Sequence, residues 1–315
     1  MRIVSLEPGC TEWLAAFDAL EFLAARSHAC DYPPSVTDRP IASSSLINAT
    51  TSRAIHLEIM TRLERGLGEF EVDVDLIAAV EPDLILTNGD PHIHPDLPSD
   101  FAKEIASRCG KRPQIFSMGP ATFKQVLNEA LRLGSVIGRA RQAITCVARL
   151  ERRLAGLQSQ LGIWKKSSSS DLPSVVCFGW LDPIITSGYW ISDMIALAGG
   201  REVVHAAGGP CAEIEWEAVL RADPDVLAII PHGFDLEKTR GELGSLMQRP
   251  GWRDLKAVRR GNVFAFDGRG CFGRPGPRLY RGIELLACGL HPEKSECEAE
   301  EWEMESVRSA MKPGA

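Results

Sequence analysis

The feature that most constrains this chain is an unbroken stretch without proline from Ala121 to Trp164. Leu127, Leu131, Ile137, Ile144, Val147, Leu150, Leu154, Leu157 and Leu161 recur there at helical spacing, which marks an apolar stripe along an α-helix. Gly134 and Gly138 weaken the pattern by about 1 kcal/mol each, with no proline to stop it. One helix over 121–164 would extend on the order of 60 Å, at about 1.5 Å per residue. That is too long for a local packing element, and the stripe holds no strict heptad for a coiled coil. The stretch predicts a rod that runs from one lobe of the chain to another.

The flanking sequence predicts those lobes. "RIVSL" is a short β-type run, followed by the turn "EPGC" and the helical pattern "TEWLAAFDAL". Strand, tight turn and helix in that order make an α/β unit. "VDLIAAVEPDLILTNG" reads as a helix broken by Pro82 before the strand "LILT", and "WEAVLRADPDVLAIIPHG" has the same layout around Pro224. "SVVCF" before a Gly-containing loop echoes "RIVSL". The shared grammar predicts two similarly built halves. The expected organisation is an N-terminal α/β lobe over 1–120, a backbone helix over 121–164 and a C-terminal α/β lobe over 165–292. An acidic tail over 293–315 follows, read as an amphipathic helix. "KKSSSSDLP" reads as a flexible linker.

Composition narrows the function. The net charge of −7 disfavours a nucleic-acid partner, which would need a basic face. Seven glutamates against Lys294, Arg308 and Lys312 give the segment after His291 a net of −4, so the body is only mildly acidic. No run of about 18 apolar residues marks a membrane span. The nine cysteines are odd in number and form no CxxC pair, which fits a reducing compartment better than a disulfide framework. "MRIVSLEP" enters a strand-like run directly, without the segments of an export signal. Together these predict a cytoplasmic protein; the alternative is periplasmic, if the true start lies upstream.

With this layout the chain resembles the helical-backbone solute-binding proteins that serve vitamin B12, ferric siderophores and, in a sister branch, zinc and manganese. It is most similar to the cobalamin-binding branch, especially members without an export signal. The residues that carry the resemblance are "RIVSLEPGCTEWLAA", "SHACDYPP", "EPDLILT", "LDPIITSGYWISDMIALAGG", "WEAVLRADPDVLAIIPHGFD" and "GRPGPRLYRGIELLACGLHP", from Arg2 to Pro292. The resemblance implies two Rossmann-like α/β lobes joined by a single long backbone helix. It also implies a non-enzymatic receptor that binds a corrinoid or similar metal chelate in the cleft between lobes, with no cofactor required. The cleft lips would be the loops at the carboxyl ends of the strands.

Those loops hold the candidate residues. Tyr32, Trp180, Trp190 and Phe234 offer aromatic faces to a large flat ligand. Trp13 and Trp216 fall in helical patterns and read as core. Arg274 and Arg278 bracket "PGP" and would hold carboxylate, amide or phosphate groups of the ligand, or simply lie at a helix start. In "SHACDYPP", His28 and Cys30 sit two apart, on the same side of an extended segment. They read as pocket lip facing the ligand's metal. No nucleophile signature accompanies them. The rival reading is a bare zinc or manganese receptor, or a metal-dependent enzyme, using His28, Cys30, Asp31, Asp90, His92 and His94. A third is a cytosolic corrinoid or haem chaperone. By the resemblance, Asp75 and Glu217 would dock an ABC permease if the protein is exported.

Overall fold

The computed structural model describes residues 1–88, 101–163, 171–205, 209–294, 299–301 and 303–307. They divide into two compact units, one of Met1–Pro120, Gln125–Ala148 and Pro275–Pro277, the other of Ala121–Lys124, Arg149–Arg274 and Arg278–Ala315.

The first unit opens with β1 (Ile3–Ser5), α1 (Pro8–Ala16) and β2 (Leu23–Arg26). Pro8 stands at the start of α1, where its missing N–H costs nothing, and the Glu7 carboxylate accepts the Gly9 N–H at 2.9 Å. An excursion follows: β3 (Ser43–Ser45), α2 (Ser52–Glu64) and β4 (Phe70–Val72), with β3 and β4 paired antiparallel. The chain continues through α3 (Val74–Ala79), β5 (Leu84–Asn88), α4 (Phe101–Cys109), β6 (Gln114–Met118) and α5 (Phe123–Val136) into α6 (Ala140–Leu161). The sheet is parallel in the order β2-β1-β5-β6, with Ile3 beside Leu84 and Val4 beside Ile85. Val4, Ile85, Ile77 and Ile105 are fully buried in one cluster, as expected of a parallel sheet covered by helices.

The second unit runs β7 (Ser174–Trp180), β8 (Ile185–Thr186), α7 (Trp190–Leu197), β9 (Arg201–Glu202), α8 (Trp216–Ala222) and β10 (Val226–Ile229). Then come α9 (Leu236–Glu242), α10 (Gly244–Met247), α11 (Lys256–Arg260), β11 (Val263–Phe266), α12 (Leu279–Leu290) and β12 (Met304–Ser306). Its parallel strands run β9-β7-β10-β11, which is the order of the first unit repeated. The paired halves expected from the sequence are present.

The repeated acid-Pro-Asp element has a physical role in both units. Glu81 and Asp223, before the prolines, take the left-handed conformation with φ of 44° and 37°, ending α3 and α8. The aspartate after each proline then caps the first strand of its own sheet. Asp83 Oδ2 accepts the Arg2 N–H at 2.6 Å, and Asp225 Oδ2 accepts the Ser174 N–H at 3.0 Å. Each also holds a lysine that precedes the fourth strand: Lys111 at 2.5 Å from Asp83 and Lys256 at 2.5 Å from Asp225. The hydrogen bond from Lys111 holds Asp83 below the usual carboxylate range. Partial burial pushes Asp225 up, but the hydrogen bonds from Lys256 and Ser174 outweigh it and hold the carboxyl at about 2.

Two expectations are corrected. The stretch 121–164 is not one rod: it is α5 and α6, parted at Gly138, whose φ is 70°. The Arg139 N–H closes on the Gly134 carbonyl at 2.7 Å, a helix-ending bond. The chain then turns back so that Ala143 packs on Gly134, where a Cβ would overlap the Ala143 methyl. The boundary between the units falls within α6, after Ala148. The acidic tail is not helical where it is described. Met304–Ser306 forms β12, antiparallel to β11. Arg281 donates to Glu303 at 2.9 and 2.5 Å, and Arg240 pairs with Glu305, so the tail's charges are spent on docking an edge strand.

Replacing Gly138 by Ala should cost about 1 kcal/mol in urea unfolding, because φ there is left-handed while the space is open. Gly134→Ala should cost more, about 1–3 kcal/mol, because its methyl has nowhere to go; equal effects would contradict the back-turn. Asp83→Asn and Asp225→Asn should each lower stability by about 1 kcal/mol near neutrality. For Asp225 the folded pKa is depressed, so its contribution is complete above the unfolded value of about 3.9 and is lost as pH falls toward about 2. The deficit of Asp225→Asn should be level above about pH 5 and fade as pH falls through about 2. Acid titrations followed by circular dichroism would show it.

Candidate functional site

In an open α/β sheet, ligands meet the loops beyond the carboxyl ends of the strands, where the strand order reverses. In the first unit that point lies at the ends of β1 and β5. There Glu7 is buried, and its Oε2 accepts from Asn88 Nδ2 at 2.9 Å, tying the two strand ends together.

The loop after β2 holds "SHACDYPP", and a buried residue that the sequence did not single out organises it. Arg26 Nη1 donates to the carbonyls of Ser27 at 3.1 Å and Cys30 at 3.0 Å, and Nη2 donates to that of Thr37 at 3.0 Å. The segment is a turn, not an extended run: the Cys30 N–H reaches the Ser27 carbonyl at 3.2 Å. His28 and Cys30 therefore do not share a side. Cys30 is 1% exposed. Its Sγ receives the Thr11 hydroxyl at 3.0 Å and lies 3.1 Å from Ser27 Oγ. Burial pushes its thiol pKa up. A buried protonated thiol is neither nucleophile nor ready metal ligand, so its place at the pocket lip is corrected to the core.

His28 is half-buried, its ring 5.2 Å from that of Phe70 and its Nδ1 2.9 Å from Ser43 Oγ. Burial holds its pKa below the ordinary value, and the Arg26 charge lowers it further. Tyr32, in contrast, is exposed. Asp90, His92 and His94 lie outside the described residues. Among the described residues, no group of three or more His, Cys, Asp or Glu is placed to hold a metal ion.

In the second unit, Trp180 ends β7, half-buried, with its ring edge-on to Phe234 at 5.0 Å. Phe234 is 3% exposed and carries the Lys238 ammonium 4.0 Å from its ring centre. It supports Trp180 instead of offering a face of its own, which corrects its expected role. Trp190 opens α7, half-buried, and its Nε1 donates to the Phe272 carbonyl at 2.8 Å. Tyr189 before it has a φ of 55°, a strained conformation for a non-glycine residue. Arg274 is buried and Arg278 half-buried. Asp267, unmarked in the sequence, ends β11: its Oδ1 accepts the Arg269 N–H at 2.9 Å. Asp267 and the Arg278 guanidinium converge on Gly270, where a Cβ would lie 3.3 and 2.7 Å from them. His232, exposed after β10, is a further side chain at this edge. A His in a loop following an apolar strand was the available signal.

Trp13 and Trp216 are buried, as their helical patterns suggested. Asp75, in the first turn of α3, is paired with Arg108 yet 87% exposed. Glu217, in the first turn of α8, is exposed with no ion pair among the described residues. The two occupy matching places in the repeated halves.

Comparison with known proteins follows the same lines. The Vitamin B12-binding protein of Photorhabdus laumondii is 23% identical over 232 residues, 73% of this chain and 70% of that protein. The crystal structure of the periplasmic vitamin B12-binding protein BtuF of Vibrio cholerae superposes with a TM-score of 0.61 at 21% identity, covering 92% of this chain and 96% of that one. A periplasmic heme-binding protein from Pseudomonas aeruginosa gives 0.67 at 19% identity, covering 93% of each chain. At these identities the two structures speak to the fold alone. No helix among the described residues is long and apolar enough to cross a membrane. Residues 3–269 match the family described as periplasmic binding protein, a family of solute carriers and not of enzymes, and the chain belongs to it.

Proposed function

We propose that the solute carried by this chain is a corrinoid, such as cobalamin, or a similar metal chelate, held by loops beyond the carboxyl ends of its strands. The observation that carries this reading is the aromatic pair at the end of β7. Trp180 stands half-buried against a buried Phe234, and a rigidly backed indole is suited to a broad flat ligand at small entropic cost. Exposed Tyr32 and half-buried Trp190 supply further aromatic area, and Arg278 beside Asp267 supplies a polar edge for amide or carboxylate groups. Arg274 is buried, next in sequence to the PGP turn. The names of the similar proteins, which bind vitamin B12 or haem, support the same ligand class. The bare-metal reading through His92 and His94 draws no support from the described residues.

The exported form of this reading has the chain deliver its ligand to an ABC permease, with Asp75 and Glu217 as the docking carboxylates. It is supported by the family's periplasmic members. A second reading, a cytoplasmic corrinoid or haem chaperone, is favoured by seven free cysteines among the described residues. Fractionating cells of the source strain and blotting for the chain decides between them.

Titrating the purified chain with cyanocobalamin, haemin and a ferric siderophore by calorimetry should give micromolar or tighter binding for one class. No binding to any of the three would end the chelate reading. Trp180→Ala should weaken that binding about tenfold or more with little change in melting temperature. Phe234→Ala should lower both affinity and stability, the latter by about 3–5 kcal/mol. If Trp180→Ala binds as tightly as the parent, the aromatic platform is misassigned.

A further inference from the structure

One carboxyl in the second unit is left half-satisfied. Glu202, on β9, stands beside Val175 of β7 in the strand register. Its Oε2 accepts the Ser192 hydroxyl at 2.6 Å, while its Oε1 is buried with no hydrogen-bond partner. Ser192 lies in the first turn of α7, two residues after Trp190. The carboxyl therefore holds the same helix end that carries the indole. An ionised carboxylate with one bare oxygen in such a place is costly, and a protonated one costs far less. Burial accordingly pushes the Glu202 pKa up to about 7, and the Ser192 hydrogen bond opposes that shift without cancelling it. The titratable groups facing Glu202 are the thiols of Cys177 on β7 and Cys211 in the loop before α8, both raised by burial. Neither supplies a positive charge. The neighbouring charged groups turn elsewhere: Arg201 is exposed, Asp193 Oδ2 accepts the Phe123 N–H at 2.8 Å, and His205 meets Thr186 Oγ1 and the Gly209 carbonyl, each at 3.3 Å. The helix end itself is built to yield. Tyr189 at its N-cap has a φ of 55° and makes no side-chain cap. The turn is seated instead by the Tyr189 N–H on the Gly209 carbonyl at 2.8 Å, the Trp190 indole on the Phe272 carbonyl at 2.8 Å, and Ser192 on Glu202.

We propose that Glu202 is a proton-operated latch on the first turn of α7: protonated, it seats the turn and the Trp190 platform with it; ionised, it loosens both. The use made of Trp190 rests on the chelate reading above and adds a regulation to it, whereas the latch itself needs no solute. Linkage gives the direction. A carboxyl released into water ionises near its ordinary value of about 4.3, while the seated one keeps its proton up to about 7. Seating is therefore strongest below about pH 4.3, weakens as pH rises, and is lost no further once pH passes about 7. A carrier with this latch holds its solute more tightly on the acid side and gives it up more readily as pH rises. Glu202 and Ser192 are positioning residues in this scheme, since they act on the solute only through α7.

Hydrogen exchange at the α7 amides of the full, solute-free chain tests the latch. Glu202→Gln carries a permanently neutral group of the same shape, so it is the reference for the intrinsic pH dependence of exchange. Between pH 5 and 7 the parent should lose about tenfold or more in protection over residues 191–195 relative to Glu202→Gln, and lose no more above pH 7. Ser192→Ala removes the hydrogen bond that favours the charged form, so its loss of protection should continue to higher pH. A side chain that merely filled space would not move that step. Circular dichroism at pH 5 should show both variants folded; if Glu202→Gln is not, the displaced step of Ser192→Ala against the parent decides alone. A constant ratio of protection between parent and Glu202→Gln from pH 5 to 8 overturns the latch, and so does a step that Ser192→Ala leaves in place. Coupling to the platform is read with whichever of cyanocobalamin and haemin the parent binds. Its affinity should fall about threefold or more from pH 5 to 7 relative to Glu202→Gln, and equal pH profiles would overturn the coupling while leaving the chelate reading intact. A parent that binds neither of these nor a ferric siderophore ends the chelate reading, and the exchange result then stands for the latch by itself.

Discussion

Each sheet of this protein is anchored at its amino end by one carboxylate. Asp83 and Asp225 each take the first backbone N–H of the strand beside them and the ammonium of a lysine leading into the fourth strand. The residue before the intervening proline is forced into a left-handed turn, at Glu81 and Asp223. Without that turn the preceding helix would not stop in time for the aspartate to reach the strand. A parallel sheet needs this kind of fastening, because its neighbours in space are joined through helices and not through hairpins. Fixing the amino ends also sets the register in which the carboxyl ends emerge, and those ends carry the loops. The staple at one end of each sheet is thus the condition for a reproducible surface at the other.

At the loop end the same economy recurs: a buried polar or aromatic group holds an outer one. Glu7 bridges α1 and Asn88, Arg26 gathers three carbonyls of its loop, and Phe234 props Trp180. None of the three inner side chains is exposed, and each holds a neighbour that is less deeply buried, Asn88, Thr37 or Trp180. The inner groups are hydrogen-bonded or packed to an extent that a mobile loop could not supply. Binding a rigid ligand against such loops costs little ordering free energy. This suits a carrier, which must take up its solute and give it away again.

The sequence made the repeated halves legible because the acid-Pro-Asp element combines a helix stop with a strand cap, and few other structures need both within three residues. The strands were legible from short apolar runs, and the buried tryptophans from their helical setting. The break at Gly138 was not, because a glycine inside a periodic stretch reads the same whether the helix tolerates it or uses it to reverse. What separates the two is Ala143 packing on Gly134, a contact nine residues apart that periodicity does not contain. The tail misled for a related reason. Its glutamates pattern like an exposed helix, yet Glu303 and Glu305 find arginines on α12 and α9, and those partners come from distant sequence. Phe234 looked like a ligand face because loop position alone does not reveal which of two neighbouring aromatics lies beneath the other.

The loop after β2 shows how far spacing can be taken. Two residues apart on a strand means one side; two residues apart in a turn does not. The bond from the Cys30 N–H to the Ser27 carbonyl closes that turn, and it separates two side chains that the sequence presents as a pair. Cys30 goes inward among the hydroxyls of Thr11 and Ser27, where burial keeps it protonated. His28 is half-buried instead, with its Nδ1 2.9 Å from Ser43 Oγ. A thiol and an imidazole drawn to one metal would have needed both to face outward. Arg26 decides against this, because its guanidinium holds the Ser27 and Cys30 carbonyls together and so imposes the turn. What this loop presents is therefore a half-buried imidazole and a buried thiol that do not form one ligand set.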